Sequence, residues 1–193
     1  MRLFSWLYER TLTMAAHRRA PALMAGLSAA ESVFFPIPPD VMLAPMTLAA
    51  PHRAWYFATL CTVASVLGGL VGYLLGMFAF ELIDPLVRRA GYQGAFEQAQ
   101  ALFGQYGFWI VLLAGFSPIP YKVFTLASGV MGVPLPVFLL GSVMGRGGRF
   151  FLVAGLIRFG GARMEHTLRR HVEWLGWALV VAVLAGIAWM QWR

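Results

Sequence analysis

Residues 55–80, 123–145 and 174–192 of this chain are strongly apolar and contain no charged residue. A helix needs about 20 apolar residues to cross the hydrocarbon core of a bilayer, so each stretch is long enough. The other home for such helices is the interior of a water-soluble protein. That would require a polar shell, and a chain of 193 residues with only 12% charged and 60% hydrophobic residues cannot supply one around three of them. The chain reads as an all-α integral membrane protein.

A repeated interruption adds a second constraint. Residues 34–41 read Phe-Phe-Pro-Ile-Pro-Pro-Asp-Val and residues 116–123 read Phe-Ser-Pro-Ile-Pro-Tyr-Lys-Val, so five of eight positions agree at an offset of 82, with Asp40 opposite Lys122. Proline breaks helices, and a charge inside a membrane is costly. A repeated break with a charge at its tip points to the binding site of a membrane transporter. The tips comprise Pro36, Pro38, Pro118 and Pro120. Residues 21–50, with five prolines and with Glu31 and Asp40, suit a first re-entrant hairpin, and 107–132 a second.

The rest of the chain falls around these hairpins as one membrane domain. Residues 1–19 mix Leu3, Phe4, Trp6 and Leu7 with Arg2, Arg10, Arg18 and Arg19, as an interfacial amphipathic helix does. Residues 55–80 form a span whose Gly68, Gly72 and Gly76 open one face to a neighbouring helix. Residues 81–106 are a polar connection, 134–157 a second span, 158–173 a second connection, and 174–192 an added C-terminal span flanked by tryptophans. Segment 1–19 sums to +3 (four Arg, one Glu), 81–106 to −1 (two Arg, three acids) and 158–173 to +2 (four Arg, two Glu). Basic segments stay in the cytoplasm. The N-terminus and 158–173 are therefore expected inside, and 81–106 and the C-terminus outside. The two hairpins then enter from opposite faces: an inverted repeat of hairpin plus transmembrane helix, with Asp40 meeting Lys122 at the centre.

Five ionisable residues remain at membrane depth: Glu31, Asp40, Lys122, Arg146 and Arg149. A lone charge there costs at least ~2.5–3.5 kcal/mol, so these residues must face one another or water. Two acids against three bases leave a positive surplus, and the guanidinium fork matches a phosphate. Two readings stay open: a cluster that locks the hairpins together, or a site for an anionic headgroup. Tyr121, on the second tip, is a candidate ligand contact. Cys61 stands alone, and His17, His52, His166 and His171 have no metal-site spacing. The basic balance suits lipid headgroups and topology better than nucleic acid. Neither a catalytic set nor a cofactor motif is present, and residues 1–19 lack the apolar core of a cleavable signal.

Glu31 followed by Phe34–Asp40, and then the run Ala114 to Gly132 (Ala-Gly-Phe-Ser-Pro-Ile-Pro-Tyr-Lys-Val-Phe-Thr-Leu-Ala-Ser-Gly-Val-Met-Gly), resemble the DedA superfamily. This superfamily is also called the VTT or SNARE-associated Golgi protein family, and the likeness is to its short YqaA-type bacterial branch over roughly residues 20–160. The resemblance implies facing re-entrant hairpins in the bacterial inner membrane. It also implies scrambling of phospholipid or translocation of a polyprenyl phosphate such as undecaprenyl phosphate, proton-coupled in some members. Glu31 and Asp40 match the acids of the family's first motif. In the second, Gly115 stands where many members have an arginine, and Lys122 lies one residue from the other arginine position; Arg146 and Arg149 are placed to supply the cation. The expected function is lipid transport, as flippase or scramblase, with Lys122, Arg146, Arg149 and Tyr121 on the lipid and Glu31 and Asp40 in proton coupling or ion pairing. A non-transporting scaffold for envelope assembly or division and a small-ion channel or exchanger remain as alternatives, and homo-oligomerisation is open.

Overall fold

A computed structural model describes residues 19–161, apart from 36–37, 90, 92 and 117–119. The expected helix at 1–19, the tip prolines Pro36 and Pro118, most of the 158–173 connection and the span at 174–192 lie outside the described residues. The described residues form six α-helices: α1 (Ala20–Glu31), α2 (Asp40–Ala49), α3 (Ala54–Arg89), α4 (Gln93–Phe116), α5 (Tyr121–Val130) and α6 (Leu135–Gly161).

Proline and glycine set most of the boundaries. Pro21 sits in the first turn of α1, where its missing N–H costs nothing. The helix ends where the N–H groups of Phe34 and Phe35 close on the Ala30 carbonyl, ahead of the first proline run. Asp40 opens α2 directly after Pro38-Pro39, with its carboxylate at the positive end of the helix dipole. Gly91, at φ +75°, turns the chain from α3 into α4. Gly132, at φ +70°, ends α5 while the N–H of Val133 reaches back to the Ser128 carbonyl.

Three helical stretches are long and apolar enough to cross a membrane: Pro51–Glu81, Phe96–Phe116 and Leu135–Gly161. The first and third cover the expected spans at 55–80 and 134–157. The second differs from expectation. Residues 81–106 were expected as a connection, yet they are helical on both sides of the turn at Gly91, and the helix that leads to the second proline break is continuous back to Gln93. After Glu97 the polar residues there are Gln98, Gln100 and Gln105, whose neutral amides burden a membrane helix far less than charges.

Helices α3 and α6 run antiparallel along their length. Trp55 stacks on Phe151, Ser65 meets Arg146, and Tyr73 stacks on Phe138 and donates to the Val133 carbonyl. At one end of this pair, α1 and α2 bring Met24, Leu43 and Met46 against Phe57, Cys61, Phe150 and Ile157. At the other end, Val111 of α4 and Tyr121 of α5 pack with Tyr73, Val133 and Phe138. Each proline-broken helix pair thus forms its own apolar cluster, and the α3–α6 pair passes through both.

The glycines of α3 are where the broken helices dock. A Cβ on Gly68 would lie 2.2 Å from the Ala29 carbonyl oxygen of α1, and one on Gly76 2.2 Å from the Leu126 carbonyl oxygen of α5. Gly129 of α5 returns the contact, its Cβ position being 2.0 Å from the Tyr73 carbonyl oxygen. Backbone meets backbone here, so no side chain can swing aside. Gly129→Ala should therefore destabilise the protein by about 1–3 kcal/mol through overpacking, although alanine is the better helix former. Gly26→Ala, with open space around it, should be neutral or stabilising; thermal unfolding in detergent compares the two.

Candidate functional site

The site lies midway along the α3–α6 pair, where the ends of α1 and the starts of α2 and α5 converge. Ser65 is 14 residues from the start and 16 from the end of the Pro51–Glu81 stretch, and Arg146 is similarly central in Leu135–Gly161. Arg146 donates from Nη2 to Glu31 Oε2 at 2.5 Å and from Nε to Ser65 Oγ at 2.7 Å. Its guanidinium also lies against two rings, with Cζ 4.9 Å from the Tyr121 centroid and 4.7 Å from that of Phe150. Side-chain exposure is 4% for Arg146 and 11% for Glu31, so this ion pair is buried among apolar helices. Burial of that depth is tolerable only when charge and hydrogen-bonding groups are matched, which the serine and the rings accomplish.

Hydroxyl groups extend the network. Ser65 Oγ lies 2.8 Å from Ser32 Oγ, Ser32 Oγ donates to the Ser28 carbonyl, and Ser28 Oγ donates to the Cys61 carbonyl at 2.8 Å. On the other side, Tyr121 Oη donates to Ser142 Oγ at 2.5 Å. Thr125 Oγ1 donates to the Lys122 carbonyl of its own helix at 2.9 Å and lies 3.3 Å from the Ser32 carbonyl, over Gly72, where a Cβ would collide with it at 2.4 Å. One hydroxyl system thus ties α1, α3, α5 and α6 together.

A second ion pair stands further out. Arg149, one turn beyond Arg146 on α6, donates from Nη2 to Asp40 Oδ2 at 2.6 Å, with side-chain exposures of 16% and 23%. The other carboxylate oxygen, Asp40 Oδ1, is buried without a hydrogen-bond partner among the described residues. Lys122 donates from Nζ to the Phe34 carbonyl at 3.0 Å, so the two proline breaks touch.

Four of the sequence-derived site residues are thus paired across helices, Glu31 with Arg146 and Asp40 with Arg149, and Tyr121 is brought beneath Arg146. The expected Asp40–Lys122 pair is absent. Asp40, at the start of α2, meets Arg149 of α6 instead, and Lys122 is satisfied by the backbone oxygen of Phe34 across the breaks. Arg146, expected as a headgroup ligand, has its guanidinium committed to Glu31, Ser65 and two rings. Pro38 and Pro120 are exposed at the breaks, beside buried Pro39. The hydroxyl residues Ser28, Ser32, Ser65, Thr125 and Ser142 went unread in the sequence. The i, i+4 spacing of Ser28 and Ser32 just ahead of Pro36 was the available signal.

Residues 37–159 match the family model of the VTT domain. The chain belongs to the VTT-domain family, the DedA family. An uncharacterized protein of Haemophilus influenzae is 42% identical over 186 residues, covering 96% of this chain and 97% of the relative. A second uncharacterized protein, from Histophilus somni, is 42% identical over 184 residues, covering 95% and 96%. No solved structure matches the chain. The VTT-domain match takes in Asp40, Tyr121, Lys122, Arg146 and Arg149 but begins after Glu31; the geometry joins Glu31 to the domain through Arg146.

Removing one member of a buried ion pair leaves the other uncompensated, at a cost of about 3–5 kcal/mol. Glu31→Gln in this VTT-domain protein should therefore lower stability more than Asp40→Asn, whose partner is less deeply buried. Arg146→Met should recover part of the Glu31→Gln loss when the two are combined. Thermal unfolding of the two single variants and the double variant in detergent measures the coupling.

Proposed function

We propose that this protein moves an anionic lipid, a phospholipid or undecaprenyl phosphate, across the bacterial inner membrane as a flippase or scramblase. The observation that carries the reading is a charge imbalance where the two proline breaks meet. Arg146 and Arg149 are matched by Glu31 and Asp40. Lys122 has a carbonyl oxygen and no ion pair among the described residues. A cation at membrane depth is most readily stabilised by an anion that arrives, and a lipid phosphate is the anion the bilayer supplies.

In this reading α1–α2 and α4–α5 are the re-entrant hairpins of an inverted repeat. The antiparallel α3–α6 pair and the contact between the two breaks support that arrangement. Lys122 and Arg149 hold the phosphate, with Asp40 as the carboxylate it displaces from Arg149. Tyr121 and the Arg146–Glu31 pair form the rigid wall behind. Proton uptake by Asp40 when Arg149 turns to the phosphate is the step at which a proton gradient would couple, while Glu31 stays in its ion pair.

A phosphate-holding Arg149 needs its planar fork, whereas a mere counter-ion for Asp40 does not. Arg149→Lys and Lys122→Ala should each slow movement of labelled anionic lipid in proteoliposomes by about tenfold, the scale of one lost charge-assisted hydrogen bond. Their melting temperatures should stay near wild type. Activity and stability falling in step would favour the scaffold reading, which the pairing of both arginines also suits. Lipid movement unchanged beside a charge-dependent ion flux would favour the channel.

The orientation has its own test. A single cysteine at Gly94, in a background with Cys61 replaced by serine, should be labelled by a membrane-impermeant reagent from outside the cell. Labelling only after the cytoplasmic face is opened would overturn the inverted arrangement.

A further inference from the structure

Where α3 begins and α6 finishes, well away from the paired charges, two arginines lie on aromatic rings, all but Phe57 exposed. Trp55 is the fixed post of this cluster. Its ring stacks on Phe151 with centroids 5.8 Å apart and planes 16° from parallel. It also covers Gly155, where a Cβ would come within 3.1 Å of the indole. Arg158 lies over the same indole, Cζ 5.5 Å from the centroid, and 5.7 Å from the ring of Phe159. Phe151, Gly155 and Arg158 follow at i, i+4 and i+7, so one stripe of α6 carries the whole contact. Arg53, two residues before Trp55, sits 5.2 Å from the Tyr56 ring and 5.6 Å from that of Phe57. Trp55, Tyr56 and Phe159 are exposed, Phe159 at 81%.

Neither arginine has a carboxylate partner among the described residues. Residues 41–80 and 135–161 contain no Asp or Glu, and the ion pairs of Glu31 and Asp40 go to Arg146 and Arg149. Both arginines stand at the ends of apolar stretches that begin at Pro51 and end at Gly161, the position of a membrane–water boundary. A guanidinium held face-on by a ring keeps its N–H edge available for a second, anionic partner. The exposed rings beside it offer an apolar surface that a free phosphate would leave uncovered.

We propose that Arg53, Trp55 and Arg158 form a binding site for the headgroup of an anionic phospholipid, separate from the paired charges at the centre of the protein. The phosphate is drawn to the guanidinium edges, and the glycerol and upper acyl chain lie on Trp55, Tyr56 and Phe159. The site is independent of the transport reading: it would hold a lipid in a protein that moves none.

The test uses the full chain in detergent micelles and the Trp55-dependent part of its fluorescence, taken as the difference between wild type and Trp55→Phe. Brominated phosphatidylglycerol should quench this component at lower mole fractions than brominated phosphatidylcholine does. In Arg53→Gln/Arg158→Gln the phosphatidylglycerol titration should shift by about 30-fold, the effect of two basic residues near an anionic surface. The phosphatidylcholine titration should not move. An unchanged melting temperature without added lipid shows that the double variant is folded, and if it is not, the two single variants are titrated, each expected to lose about fivefold. Equal quenching by the two lipids in wild type would overturn the proposal. So would an unshifted phosphatidylglycerol titration in the variants, or displacement of the lipid by millimolar inorganic phosphate.

Discussion

The buried Arg146 guanidinium is the constraint around which the helices are arranged. A charge at that depth among apolar helices is tolerated only if its hydrogen-bonding groups find partners and its charge an opposite. The partners come from different parts of the chain: Glu31 closes α1, Ser65 is in the middle of α3, Tyr121 opens α5 and Phe150 is one turn along α6. Displacing any of those helices would expose the guanidinium to hydrocarbon. Apolar packing alone does not discriminate so sharply, because in a bilayer lipid tails compete with every leucine contact. The buried pair therefore fixes which helices meet and at what height.

Close backbone approach is the complementary requirement. Arg146 can reach Glu31 and Ser65 only if α1 and α6 both lie tightly on α3. Gly68 lets α1 onto α3, Gly72 and Gly76 admit α5, and Gly145 lets α4 approach α6, with its Cβ position 2.4 Å from the Leu112 carbonyl oxygen. Small residues at crossings are how membrane helices gain contact when the hydrophobic effect gives little preference between helix and lipid. The glycine stripe and the buried charge are thus two halves of one arrangement: the first sets the spacing that the second demands.

The all-α architecture, two of the three long apolar helices and the positions of the breaks were legible in the sequence, because charge-free runs and proline clusters act locally. The glycine face at 68–76 was legible for the same reason. The Phe96–Phe116 helix was obscured by Glu97 and three glutamines, which read as a polar connection when counted by residue type. Charge pairing was legible only as a set. Five ionisable residues in apolar sequence had to meet, but the register of the repeat pointed to Asp40 with Lys122, whereas the helical geometry pairs Asp40 with Arg149. A repeat aligns positions in sequence; it does not say that aligned positions touch. The serine and threonine network was missed because single hydroxyls in apolar helices commonly satisfy themselves on their own backbone, as Thr62 does on the Ala58 carbonyl.

The two ion pairs differ in a way that bears on any working cycle. Arg146 and Arg149 are three residues apart on one helix, yet the inner pair is nearly sealed and the outer one is partly open. Separating Glu31 from Arg146 would strand both charges in a low-dielectric interior, along with the Ser65 hydrogen bond and two ring contacts. Separating Asp40 from Arg149 requires less, since both side chains keep some exposure and one carboxylate oxygen already lacks a hydrogen-bond partner among the described residues. The burial gradient thus separates the two pairs: opening the inner one would break contacts among four helices, whereas the outer one could open with far less disturbance of the fold.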